Sequence, residues 1–325
     1  MQFRFAVRRA VLALAALAIV SANTAGRAAA EELRWKLSAG EVINYHQTQD
    51  MSMNVQAAAN AESSPMGQQA MDVQRVVSMS WNVKGVDAAG IAEIEQKFHR
   101  IQLNMAVSGS EPSAYDTDSD EPAVGMAAMF APAMEAMTAG SFRFKLSPLG
   151  EVSDVEFSEE LKQVIANGPG GEAGAAEHFK SMVSQVALVL PERSLEAGDT
   201  WKTVNTASNP AGGVQTIETT YTYDGTREAD GATLAVIKPS LNMEMGDNPM
   251  AEMKTKQQKT DGEVLFDVGA GRLHSISINL NIGFDMVAQE QTMPGTIVQK
   301  IDVAVSSGAA NAVTARPAEP VAESR

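Results

Sequence analysis

Ile276-Ser277-Ile278-Asn279-Leu280-Asn281-Ile282-Gly283-Phe284-Asp285-Met286 is the stretch on which the fold turns. Large apolar side chains alternate with small polar ones through the whole run, so an extended backbone puts one kind on each face. A helix would scatter the same residues around its axis. The run therefore predicts a long β-strand with one apolar face and one wet face, and such a strand needs neighbours of the same kind. Ile101, Leu103, Met105 and Val107 give a second stripe, and Phe142, Phe144 and Leu146 a third. Hairpin chemistry falls between such segments at Val86-Asp87-Ala88-Ala89-Gly90, Asp224-Gly225, Ala229-Asp230-Gly231 and Gly269-Ala270-Gly271. The expected class is mainly β, an α+β protein built on antiparallel sheet.

A repeat organises these strands. Leu37-Ser38-Ala39-Gly40-Glu41 returns as Leu195-Glu196-Ala197-Gly198-Asp199. Val73-Gln74 stands as far before Gly90 as Val214-Gln215 stands before Gly231, and Leu103-Asn104-Met105 is echoed by Leu241-Asn242-Met243. Gly140–Phe144 with Gly150 parallels Gly262–Phe266 with Gly271, one residue out of step. The order of the matches predicts two repeated antiparallel β modules, curved sheets or half-barrels, at 31–157 and 193–307. A helical crossover at 158–192 joins them. Ser158-Glu159-Glu160 has the polar and acidic character of a helix start, and Phe179, Met182, Val183, Val186 and Leu190 are spaced as on a helix face that stops at Pro191. Ala57–Ala70, Ser108–Glu121 and Met245–Asp261 read as loops, and 308–325 as a disordered tail rich in Ala, Pro and Glu.

Residues 1–30 read as a secretory signal peptide. Arg4, Arg8 and Arg9 precede the apolar run Val11–Val20, and Ala28-Ala29-Ala30 offers small residues for cleavage before Glu31. The apolar run is too short for a membrane-spanning helix, which needs about 20 residues. An extracytoplasmic protein, periplasmic or secreted, is expected, with no transmembrane segment in the mature chain. The Arg8-Arg9 pair hints at a twin-arginine signal, but the residues around it match that pattern poorly, so general secretion is the favoured route. Cysteine is absent, so disulfides, thiolate nucleophiles and cysteine-held zinc are excluded. The formal net charge is −15, and loss of the four arginines in residues 1–30 makes it −19. A surface of that sign repels phosphate backbones, so no nucleic-acid partner is expected.

Three sets of residues resemble a family of secreted bacterial proteins defined by a domain of unknown function. They are Ala39-Gly40-Glu41 after an early strand, Leu190-Pro191-Glu192 followed by Ala197-Gly198-Asp199-Thr200-Trp201, and the closing hairpin Gly262–Leu273. The resemblance implies a duplicated β architecture with helices between its halves, and it transfers no activity and no site residues. In outline the pattern is similar to periplasmic lipid and lipoprotein carriers, in which helices close a curved antiparallel sheet.

The chemistry-bearing residues give no catalytic signature. There is no G-x-S-x-G nucleophile elbow, no H-E-x-x-H, and no glycine loop between a strand and a helix. The four histidines, His46, His99, His178 and His274, are scattered and read as structural. Asp116-Thr117-Asp118-Ser119-Asp120-Glu121 has Glu where a calcium loop wants Gly and Ala127 where it wants Glu. Met51 and Met53, with Met243, Met245, Met250 and Met253, have spacing that a soft metal could use, but strand packing accounts for it. Aromatics make up 5 % of the chain, too few for the girdles of a membrane barrel. No catalytic residues, no metal and no cofactor are therefore expected.

The expected function is non-catalytic: binding or carriage of an apolar small molecule or lipid on the concave sheet face. Met126, Met129, Phe130, Met134 and Met137 would form an adaptable lid there. The alternatives are an envelope scaffold that binds other proteins through strand edges, and an enzyme working through carboxylates alone.

Overall fold

The computed structural model describes residues 31–56, 69–165, 186–208, 214–245, 252–288 and 291–308, together with 179–180 and 182–183. Residues 1–30, 309–325, the Ala57–Ala70 insertion up to residue 68 and His178 lie outside the described residues. The strands are β1 (Val42–Val55), β2 (Gln69–Val86), β3 (Ala92–Val107), β4 (Ser113–Asp116), β5 (Phe142–Leu146), β6 (Val152–Phe157), β7 (Thr200–Ser208), β8 (Val214–Ala229), β9 (Ala232–Met245), β10 (Glu252–Asp267), β11 (Arg272–Ala288) and β12 (Gln291–Ser307). All twelve belong to one curved, open antiparallel sheet, ordered β6-β5-β3-β2-β1-β12-β11-β10-β9-β8-β7, with β4 added beside β3. The fold is mainly β, with α-helix at α1 (Ala131–Ala139), α2 (Glu159–Ile165) and the described residues 179–180 and 182–183 of the crossover.

The two halves of the chain share this sheet. The first and last strands pair at its middle, from Ile43 opposite Ser307 to Val55 opposite Gly295. Strands β6 and β7, consecutive along the chain, lie at its opposite edges. Residues between them span that seam. Leu190 donates its backbone N–H to Leu149 beside one edge (2.7 Å), and Trp201 on β7 donates its indole N–H to Val189 (2.8 Å). Corresponding turns of the two halves also match in detail. Gly40 and Gly198 both have positive φ, and both donate a backbone N–H to the second strand of their own half, at Val83 (2.8 Å) and Tyr223 (2.7 Å).

Inward side chains come from one parity on the long strands: Ile43 and Tyr45 on β1, Val77, Met79 and Trp81 on β2, Ile276 and Leu280 on β11. Strand β3 changes parity part way. Ile94 and Phe98 point inward before a register shift opposite Ser78 and Met79, and Ile101 and Leu103 after it. The bulge lets two out-of-phase stripes share one core. At one end the core is aromatic: Trp81 lies 4.8 Å from Tyr45, 5.4 Å from Phe144 and 5.9 Å from Trp35, ring centre to ring centre. Phe179 from the crossover stacks on Phe142 at 4.0 Å, which anchors the crossover to the sheet.

Two expectations change. Met245–Asp261 is strand from Glu252 onward, not loop. Its inward positions are Met253, Thr255, Gln258 and Thr260, so the alternation carries almost no hydropathy contrast. Ser108–Glu121 contains the short strand β4, whose Asp116 meets Arg100 through two hydrogen bonds. The Met-rich stretch forms a 3-10 helix at Gly125–Met129 followed by α1, with Pro132 in the first turn of α1. Proline suits that position, because its missing N–H would have had no partner in the first turn.

Strands β9 and β10 stay paired only from Ile237 opposite Val264 to Leu234 opposite Asp267. Beyond that they part, and side chains bridge them. The Gln258 amide accepts the N–H of Met243 (2.8 Å) and donates to its carbonyl (2.7 Å), and Thr260 Oγ1 accepts from Leu241 N (3.0 Å).

A candidate ligand cavity on the concave face

The inward faces of β1, β2 and β7–β12 enclose a cavity of about 370 Å³, within the range of sites that hold small molecules. Its apolar wall comes mainly from β9, β11 and β12, with Leu241, Ile276, Ile278, Leu280 and Ile301 prominent. Val186 and Leu188 of the crossover close one side. A smaller cavity of about 100 Å³ lies toward β3 and the helices, and Gln47, Arg75 and Val186 line both.

The polar groups of the larger cavity are few: glutamines on β1 and β12, Arg75 on β2, and Asn205, Thr219 and Tyr221 near the β7 edge. Although the chain carries 40 acids, none is among the described residues lining either cavity, and Arg75 is the one charged residue there. Arg75 sits directly opposite Gln49 in the β1–β2 ladder and donates from Nη2 to its Oε1 at 2.7 Å. Its Nε is buried and has no hydrogen-bond partner. Burial lowers the guanidinium pKa from its ordinary value, yet arginine keeps its charge in proteins.

The five residues expected to form a lid are divided. Met134 and Met137 reach the smaller cavity, where Met79 and Met182 join them. Met126, Met129 and Phe130 face outward, with Met129 80 % exposed. The helices are short, so only the α1 methionines facing β3 reach the sheet. The polar lining (Gln47, Gln49, Arg75 and Gln299) was missed in the sequence. The signal available was a polar residue in phase with apolar neighbours, as in Val73-x-Arg75-x-Val77.

Of the remaining sequence candidates, only Met243 reaches either cavity among the described residues. Met53 and Met253 pack with Val55, Phe284 and Met293, and Met243 lines the larger cavity. Among the described residues no group of three or more His, Asp or Glu side chains is arranged to hold a metal. His46 and His99 stand on strands at hydrogen-bond distance from Ser78 (3.2 Å) and Ser80 (2.8 Å). Burial, with Arg100 near His46 and Lys97 near His99, lowers both pKa values below 6.5 in the folded state. Unfolding then takes up protons, so this stability is complete above about pH 6.5 and is lost as pH falls from there through the lowered folded-state values. Urea midpoints should drop between about pH 7.5 and pH 5.5, and the double variant H46Q/H99Q should flatten the drop.

Among the described residues, no helix is long and apolar enough to cross a membrane. Fold and site together define an open antiparallel β-sheet protein with an apolar cavity on its concave face. The family of unknown function DUF6263 matches residues 89–264, over half of the chain, and the protein belongs to that family. No curated protein matches it. The structure reported as "Lipid-protein interactions in lipovitellin" is similar at a TM-score of 0.48 and 11 % identity, over 85 % of this chain and 26 % of that one. The COG4313 outer membrane channel of Pseudomonas putida F1 is matched at a TM-score of 0.23 and 8 % identity, over 83 % of this chain and 97 % of that one. The chain thus spans about a quarter of the length of the lipovitellin chain. Both likenesses are too low to bear on function.

Proposed function

We propose that this is a non-catalytic extracytoplasmic protein that binds an apolar small molecule or lipid in the cavity on its concave face. One observation carries the reading: a space of about 370 Å³ walled by branched aliphatic side chains from β9, β11 and β12. Packed interiors leave few voids larger than a water molecule, and an aliphatic wall around a larger void favours an apolar occupant. The basic, then apolar, then small-residue order of residues 1–30 supports export.

The test is native mass spectrometry of the chain exported by a secreting host, followed by organic extraction, with binding of an environment-sensitive apolar dye. An exported mass beginning at Glu31 and a stoichiometric apolar passenger or saturable dye binding are expected. Ile278→Trp fills the cavity and should weaken dye binding roughly tenfold or more while the protein stays folded. A protein that emerges empty and takes up no dye would overturn the reading. Strand addition at the edge strands β6 and β7, the scaffold alternative, would then lead.

A further inference from the structure

We infer that the ligand is an amphiphile with a single anionic head, and that Arg75 receives that head while the aliphatic wall takes the chain. The inference rests on the apolar-ligand reading and names the chemical class within it. Arg75 is the charged residue among the described lining of both cavities, and its hydrogen-bond partner is a neutral amide, Gln49 Oε1 at 2.7 Å. Its Nε has none. The other well-placed arginines in the fold are matched by acids: Arg100 by Asp116, Arg227 by Glu263 and Arg272 by Glu41.

A partly buried guanidinium that faces no counter-charge is costly, because neutral neighbours do not repay its lost hydration. Exchanging Arg75 for an apolar residue would remove that cost, so its presence needs a compensating group. The planar fork suits an oxyanion held by two parallel bonds, and Nε is one of the donors such a pair uses. Gln47 and Gln49 on β1 and Gln299 on β12 line the same cavity with neutral amides that can donate further hydrogen bonds. A lone cation matches a head of charge −1. A dianionic head would leave one charge unmatched inside a protein whose net charge is already −15. A fatty-acid carboxylate and a phosphodiester both present a monoanionic pair of oxygens, and both belong to the class.

The experiment measures binding of palmitate, of hexadecanol and of a hexadecyl phosphodiester to the delipidated full mature chain, for wild type, Arg75→Gln and Arg75→Lys. Wild type should bind at least one of the anions roughly tenfold to a hundredfold more tightly than hexadecanol, and which one identifies the head. Arg75→Gln should abolish that preference, with Arg75→Lys between the two. Arg75→Gln should also melt no lower than wild type without ligand, because a purely structural arginine would cost stability when removed. Equal binding of all three probes, or a preference that survives Arg75→Gln, overturns the anionic-head assignment and leaves the apolar cavity standing. Binding of none of them overturns both.

Discussion

Trp81→Ala is expected to lower stability by about 3–5 kcal/mol, read as a fall in the urea midpoint at unchanged slope. Trp81 has no exposed surface and contacts Trp35, Tyr45 and Phe144, with ring centres 4.8–5.9 Å apart. These neighbours come from β1, β5 and the segment before β1, so the cavity left by truncation opens where several elements meet. A second loss adds to the first. The indole Nε1 donates to Gln96 Oε1 at 2.8 Å, and Gln96 is itself buried. Removing the donor strands a buried carbonyl oxygen, at about 1–3 kcal/mol. Met126→Ala, at an exposed position, should stay within about 0.5 kcal/mol and serves as the control.

Gly150→Ala should cost about 2–5 kcal/mol and release a ligand or dye from the cavity. Gly150 has φ +84°, which alone disfavours a side chain by about 1–2 kcal/mol. A Cβ built there would stand 2.1 Å from the carbonyl oxygen of Leu188 and 2.9 Å from Trp35 Nε1. Those two atoms are hydrogen-bonded to each other at 2.9 Å. The methyl group must therefore break that bond or push the 186–190 segment off the sheet. Since Val186 and Leu188 wall the cavity, stability and binding should fall together. Gly109→Ala separates the causes: φ is +78° there, with no atom within 4 Å of the new Cβ. It should show the backbone cost alone and bind normally.

The strands that the sequence revealed are those with contrast between their faces. Ile276–Met286 alternates large apolar and small polar residues, and it is β11 as read. Strand β10 escaped because its inward positions Thr255, Gln258 and Thr260 are polar where β9 and β10 part. Hydropathy cannot report a strand whose two faces are equally wet. The Met-rich helix residues were legible as apolar and helical, but which of them reach the sheet depends on where the helix docks. Arg75 was legible only as a charge. That it faces inward follows from its parity with Val73 and Val77, and that it lacks an acid depends on β1 laying Gln49 opposite it.

The sequence by itself determined the antiparallel class and the turns marked by Gly40, Gly90, Gly198 and Gly231. These rest on local chemistry: side-chain alternation, and backbone angles that glycine adopts at little cost. Only the tertiary structure decided that the halves share one sheet, that β1 and β12 meet at its centre, and that 186–190 spans the seam between β6 and β7. Those pairings join residues far apart in the chain, so their register depends on how both partners pack and cannot be read from either alone. The cavity is a consequence of the same kind, set by how far a curved sheet stands from the segment that covers it.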